Sequence, residues 1–265
     1  MSTQVGVAIL GASGRMGATL LRCLPEFPAL ALAGASTAPA SGLGGRDAGE
    51  AAGLPPLGVV LHDDPAGALA HGAGVAIDFT LPAAVPANAA ACRAAGAGLV
   101  CGVTGLDARG EAALREAAET VPVLWAPNMS AGVAVLERIA ALAAAALADF
   151  DAGVFELHHT AKRDAPSGTA LALGRAVVAG RGQSATAAEP DEGLRAPGLS
   201  YAAQRLGDVV GEHTVTLAGP GERIELTHRA TDRAIFARGA LRAACWLVGR
   251  EPGIYTLGEV LGLGR

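Results

Sequence analysis

The sequence predicts an α/β fold in its first half and an α+β arrangement after it, on three observations. Short, continuously apolar runs alternate with Ala-rich helical segments as far as Asn128, which is the pattern of strands buried on both faces of a parallel sheet. Beyond that point two short runs flank Gly219-Pro220-Gly221-Glu222, a hairpin signal that means antiparallel pairing. Third, the chain is 51% hydrophobic but only 3% aromatic, so the core is built from Ala, Leu and Val, which suits closely packed helices and buried strands.

In order, Val5–Leu10 reads as a strand, Arg15–Leu24 as a helix and Ala29–Ala35 as a second strand, before a Gly- and Pro-rich loop over Gly42–Gly58. Val75–Phe79, Leu99–Val103 and Val121–Ala126 continue the sheet, separated by helices near Pro86–Ala95 and Asp107–Glu119. A long helix (Val133–Leu147) then leads to a strand at Gly153–His158, a polar loop over Thr160–Ser167 and a helix from Gly168 to about Ala179. Gly180–Pro197 is polar and turn-rich, and the hairpin strands are His213–Ala218 and Arg223–His228. A final helix (Thr231–Val248) precedes the tail Pro252–Leu263. The boundary falls near residue 129, and periodicity leaves the last helix and tail with either half.

Composition excludes several classes. The 37 glycines among 265 residues follow no Gly-X-Y period, so the chain is not collagen-like. With 20 Lys and Arg against 25 Asp and Glu, a net charge of −5 and no basic block, neither nucleic acid nor an anionic membrane is an expected partner. The longest apolar run, Ile139–Ala148, is too short to cross a bilayer. Met1-Ser2-Thr3-Gln4 lacks the basic region of a signal peptide, so a cytoplasmic location is expected. Cys23, Cys92, Cys101 and Cys245 are scattered, with no CxxC pair, and read as buried reduced thiols.

Gly11-Ala12-Ser13-Gly14-Arg15-Met16-Gly17 follows the first strand and opens the first helix. A tight turn at Gly11, small side chains at Ala12 and Ser13, and N–H groups at a helix start make a pyrophosphate cradle, although Ser13 stands where GxGxxG has its second glycine. The acidic residue expected about twenty positions on, for the ribose 2′-OH, is missing. The second strand ends instead at Ser36-Thr37-Ala38, and Asp47 and Glu50 further along read as solvated. The Ser36 and Thr37 hydroxyls and the missing carboxylate point to use of both NADPH and NADH, with a lean to NADPH. Three more strand ends, Asp78-Phe79-Thr80, Gly102-Val103-Thr104-Gly105 and Ala126-Pro127-Asn128-Met129-Ser130, fall on the sheet edge where ligands gather and suit a nicotinamide site.

The most chemically loaded stretch is Glu156-Leu157-His158-His159-Thr160-Ala161-Lys162-Arg163-Asp164-Ala165-Pro166-Ser167-Gly168-Thr169. Basic and titratable side chains abut a helix start where Ser167 can cap and Gly168 and Thr169 present backbone N–H groups. That is a site for a carboxylate or phosphate. A solvated loop would explain the composition but not the basic cluster at a helix start. No third ligand follows His158-His159 at metal-binding spacing, so no metal is expected. Alternation along a strand also separates the roles of His158 and His159.

Together these segments resemble the 4-hydroxy-tetrahydrodipicolinate reductase (dihydrodipicolinate reductase) family of the diaminopimelate route to lysine. Gly207–Val215, Thr227-His228 with Phe236-Ala237, and Gly253–Leu263 add to the match, which runs through nearly the whole chain. The resemblance implies a Rossmann dinucleotide-binding domain of residues 1–129 plus 240–265, and a substrate-binding, oligomerisation domain of residues 130–239 that builds a homotetramer. It implies hydride transfer from NAD(P)H to a cyclic imine dicarboxylate. His158 and Lys162 match the proton donors; His159, Ser167, Gly168 and Thr169 match contacts to the substrate. Gly11, Ala12, Ser13, Gly14, Arg15, Met16 and Thr37 match cofactor contacts, as do Phe79, Thr80, Gly102, Val103, Thr104, Ala126, Pro127, Asn128 and Met129. Thr37 and Ala38 depart from the acidic residue and Arg often found there, and Leu199–Leu206 drifts from the pattern while keeping Arg205. Two readings compete: another Rossmann reductase of amino-acid metabolism, related to aspartate or homoserine dehydrogenase, and a non-catalytic dinucleotide-sensing regulator. Neither calls for the block from His158 to Thr169.

Overall fold

Val7, Ala8, Ile9 and Leu10 are wholly buried, and an apolar run of this kind is stable only with both sheet faces covered. They belong to β1 (Val5–Leu10), the third strand from one edge of a seven-stranded sheet. The computed structural model describes residues 4–190, 195, 196 and 198–264. These form two compact units, Met1–Met129 with Phe236–Arg265, and Ser130–Ile235.

In the first unit β1 is followed by α1 (Arg15–Cys23), β2 (Leu30–Ser36), α2 (Ala48–Ala51), β3 (Leu61–His62), α3 (Pro65–Leu69), β4 (Ala73–Asp78), α4 (Val85–Ala95), β5 (Gly98–Cys101), α5 (Ala108–Ala117) and β6 (Pro122–Trp125). The second unit holds α6 (Ala131–Ala146), β7 (Asp151–His158), α7 (Gly168–Gly180), β8 (Arg195–Ala196), β9 (Leu199–Arg205), β10 (Gly211–Gly219) and β11 (Glu222–Ala230). The chain ends with α8 (Ala234–Leu247), β12 (Gly253–Tyr255) and α9 (Leu257–Val260).

The first sheet runs β12-β6-β5-β4-β1-β2-β3 with every pairing parallel. It is a doubly wound Rossmann arrangement whose order reverses between β1 and β4, the crevice where such sheets bind ligands. The tail, which periodicity leaves unassigned, supplies β12 beside β6. The Gly42–Gly58 segment, read as loop, contains the one-turn α2, and β3 and α3 just beyond it are too short for a hydrophobic period to reveal. Asp47 corrects its solvated reading: its carboxylate accepts hydrogen bonds from the N–H groups of Gly49, Glu50, Leu57 and Gly58, capping α2 and closing the loop. All four cysteines are free, and burial pushes the Cys101 thiol up to about 12, which makes it inert.

The second unit is a five-stranded mixed sheet, β11-β10-β7-β9-β8, in which only β7 and β9 pair in parallel. Strand alternation turns Val154, Glu156, Val215, Leu217, Leu199 and Tyr201 inward, and the apolar members pack with Leu136 and Ala140 of α6 and Leu173 and Val177 of α7. The opposite face carries the register row Thr227, Thr214, Phe155 and Ala202, half-buried to exposed. Among the described residues no helix is long and apolar enough to cross a membrane.

Candidate active site

Parallel strands deliver their C-terminal ends to one edge, so the residues that follow β1, β4, β5 and β6 gather there. Gly11 adopts φ +77°, a conformation that L side chains rarely take. Gly17 lies so close to this turn that a Cβ would sit 2.3 Å from the Gly11 carbonyl oxygen and 2.5 Å from the Ala12 Cα. No side chain caps α1, so its first N–H groups suit an anion. Hydroxyls stitch the turn to the end of β2: Ser13 Oγ is 2.6 Å from Thr37 Oγ1, which is 2.9 Å from Ser41 Oγ. Thr37 is only 5% exposed. It is therefore a strut of the cradle, rather than the open hydroxyl that its place in the sequence suggests.

Asp78, at the end of β4, is wholly buried. Burial pushes its pKa up, opposed by hydrogen bonds from the Thr80 hydroxyl, Asn88 Nδ2 and the Thr80 amide at 2.6, 2.8 and 2.8 Å. These hold Thr80 against Gly11, where a Cβ would stand 2.9 Å from the Thr80 methyl. The Phe79 ring packs on Gly102 in the same way, and Trp125 Nε1 donates to the Val103 carbonyl at 3.3 Å. Ala126 and Met129 are buried beyond β6.

The second unit assembles a different chemistry. Alternation along β7 puts Glu156 and His158 on its buried face, two residues apart. His159, just past the strand, is half-buried, with its Nε2 3.2 Å from Arg233 Nη2. Desolvation and the nearby Arg233 hold its pKa below the usual imidazole range. Lys162 Nζ donates to Asp164 Oδ2 at 2.8 Å. Ser167 caps α7, its Oγ accepting from the Ala170 N–H at 3.1 Å, and Gly168 lies exposed at the helix start.

At the centre is Glu156, with no exposed surface. Its Oε1 accepts from the Ser167 N–H at 3.1 Å and from Arg205 Nη2 at 2.8 Å. Its Oε2 lies 3.2 Å from His158 Nδ1 and 3.8 Å from His213 Nε2. Burial alone would raise the Glu156 pKa, but His158, Ser167 and Arg205 bring it down to about 2. Burial, reinforced by the charge of His158, lowers His213 to about 4. Glu156, His158 and His213 bring potential metal-ligand atoms within 4.8 Å of one another. The third side chain thus arrives across the sheet, not at the short sequence spacing where a metal ligand was sought. Arg205, paired to the same carboxylate, already supplies a positive charge.

These two groups give a pH dependence. His213 has a folded pKa below its unfolded value, so its contribution is lost as pH falls from about 6.5 to 4. Glu156 acts in the same sense at lower pH, between about 4.5 and 2. The free energy of unfolding, from urea titrations at pH 7 to 4, should fall by an amount on the order of a few kcal/mol, and His213→Gln should flatten the upper part of that fall. A flat profile in the wild type would contradict it.

The model of the dihydrodipicolinate reductase N-terminus matches residues 5–129, and that of the C-terminus matches residues 132–261. The chain belongs to the dihydrodipicolinate reductase family. A 4-hydroxy-tetrahydrodipicolinate reductase from Anaeromyxobacter dehalogenans is 48% identical over 264 residues, covering 97% of each chain. One from Thiobacillus denitrificans is 48% identical over 267 residues, covering 98% of this chain and 99% of that one. A dipicolinate-bound dihydrodipicolinate reductase from Paenisporosarcina sp. TG-14 shares the fold, with a TM-score of 0.77 at 22% identity, covering 96% of this chain and 98% of that one.

Within this family member the residues expected at the nucleotide fall on the first unit, at or beside the edge just described. Those expected at the substrate fall within one strand–loop–helix segment of the second unit. Sequence reasoning passed over Glu156, His213 and Arg233, and kept Arg205 only as a surviving motif residue. One signal was available: Glu156 and His158 stand two apart on a strand and must share a face.

Proposed function

We propose that this oxidoreductase reduces 4-hydroxy-tetrahydrodipicolinate to tetrahydrodipicolinate with NAD(P)H, in the diaminopimelate route to lysine. The observation that carries the reading is the segment from Glu156 to Thr169. There a buried carboxylate–imidazole pair, a lysine and a helix start fall within fourteen consecutive residues of a family member. The Gly168 and Thr169 amides and His159 bind a substrate carboxylate, helped by the positive end of α7, while Ser167, buried and already bonded to Glu156, Ala170 and His213, fixes where that helix starts. Nicotinamide, when bound to the first unit, supplies the hydride. The 4-hydroxyl leaves as water, which gives a conjugated cyclic imine; hydride addition to that imine leaves an anionic centre, and His158 or Lys162 gives it a proton. Arg205, rather than a metal ion, balances Glu156.

The uncovered sheet face that carries Phe155 and Leu157 supports a homotetramer built through the second unit. Four free thiols accord with the cytoplasm.

Cofactor choice follows from the end of β2. No carboxylate stands at Ser36 or Thr37 to repel a 2′-phosphate, and no Arg at Ala38 clamps one. Both nucleotides are used, with a modest lean to NADPH that grows as ionic strength falls. Thr37→Glu breaks the Ser13–Thr37–Ser41 chain, which weakens both nucleotides, and adds repulsion felt only by the phosphate. The ratio is therefore the readout. On freshly generated substrate, the NADPH:NADH ratio of kcat/KM should fall about tenfold, or roughly 1.4 kcal/mol. A strong wild-type preference for NADH that Thr37→Glu leaves unmoved would contradict the cofactor reading. Absence of turnover with either nucleotide would contradict the function.

A further inference from the structure

We propose that Glu156 is the positioning residue of the reductase: its single buried carboxylate ties the His158 ring to the N-terminus of α7, so the proton donor and the carboxylate anchor move as one body. The inference rests on the reading of His158 as a proton donor.

The two oxygens divide the work. Oε1 takes the Ser167 amide and the Arg205 guanidinium, fixing where α7 begins. Oε2 stands 3.2 Å from His158 Nδ1, and both atoms are sealed from solvent with no regular hydrogen bond among the described residues, so each is the nearest partner the other has. His213 does not compete for this oxygen. Ser167 Oγ already accepts from the Ala170 N–H, so its own hydrogen is free to go to His213 Nε2 at 3.2 Å, which requires that nitrogen to be unprotonated. The His158 Nδ1–H is then committed to Glu156, and Nε2 becomes the nitrogen that exchanges a proton with substrate. Gly211 leaves room for it: a Cβ there would lie 2.9 Å from His158 Nε2. The charged and titratable groups facing this pair are His213 on β10, Arg205 on β9, and His159, Lys162 and Asp164 on the loop. Among them Glu156 alone is both anionic and wholly buried.

Glu156→Gln keeps the shape and an oxygen for Ser167 and Arg205 but puts an amide N–H where Oε2 faces His158 Nδ1. The kcat should fall about 10²-fold with nucleotide KM unchanged. Loss of nucleotide affinity in step with kcat would mean a merely structural role and overturn the proposal. In a His158→Gln background, Glu156→Gln should lower kcat no further; an added loss would also overturn it. Full activity in His158→Gln alone would instead remove the proton-donor reading on which the proposal rests. Should Glu156→Gln fail to fold, nitrogen-15 imidazole spectra of the wild-type enzyme decide. Neutral His158 must carry its proton on Nδ1, and a proton on Nε2 would refute the proposal.

Discussion

His158→Ala and Lys162→Ala should each lower kcat by about 10²–10⁴-fold, the usual cost of losing a positioned proton donor, while the dissociation constants of NADH and NADPH stay at their wild-type values. Both residues belong to the second unit, and the glycine turn proposed to hold the nucleotide belongs to the first. The two variants should differ in stability. Truncating His158 strips Glu156 Oε2 of its nearest polar neighbour inside a closed site, and a cavity beside a buried oxygen is costly. Among the described residues Lys162 pairs with the exposed Asp164, and such pairs contribute little. Thermal melts should therefore separate the variants while turnover assays do not. Wild-type rates in both would remove the catalytic assignment.

Gly17→Ala should damage the nucleotide-binding unit with a single methyl, at the turn itself. The added Cβ would meet backbone, with the Gly11 carbonyl oxygen at 2.3 Å and the Ala12 Cα at 2.5 Å, and no rotamer relieves that clash. Either α1 lifts from the turn or the turn opens, at roughly 1–3 kcal/mol of overpacking. The amides that face the pyrophosphate shift with it. Affinity for both nucleotides should fall at least about tenfold, or roughly 1.4 kcal/mol, and the melting temperature should drop. Gly14→Ala is the control. Its Cβ would stand 3.2 Å from the Gly11 carbonyl oxygen, a tight contact that a small shift relieves, so its effect should be several-fold smaller. Equal effects from the two variants would show that helix–turn packing does not set nucleotide affinity.

What was legible in the sequence follows the range of the interactions involved. β1, β2, β4, β5 and β6 announce themselves because each is apolar almost throughout, whereas β3 and β12, with two and three residues, are too short to. The glycine turn and the Ser167 cap are local, and both stand where the sequence puts them. β9 escaped notice because its outward residues, Ser200, Ala202 and Gln204, are small or polar and blur the alternation that Leu199 and Tyr201 begin. Asp47 was misjudged because its partners Leu57 and Gly58 lie across a loop with no periodicity. The contacts of the Thr37 hydroxyl with Ser13 and Ser41 were not legible, because nothing local in the sequence brings the glycine turn to the end of β2. Glu156 was hidden most deeply. Its partners Ser167, Arg205 and His213 come from a helix cap and two other strands, and only the sheet register brings them to one carboxylate.

In the proposed reaction a substrate carboxylate sits at the start of α7, beside His158 and Lys162. A crystal grown with nicotinamide nucleotide and soaked with pyridine-2,6-dicarboxylate, a planar relative of the proposed substrate, tests that most directly. The predicted result is one carboxylate within hydrogen-bonding reach of the Gly168 and Thr169 amides, with the ring beside His158 and Lys162. Dicarboxylate bound elsewhere at saturating concentration, with the segment from His158 to Thr169 left untouched, would contradict it.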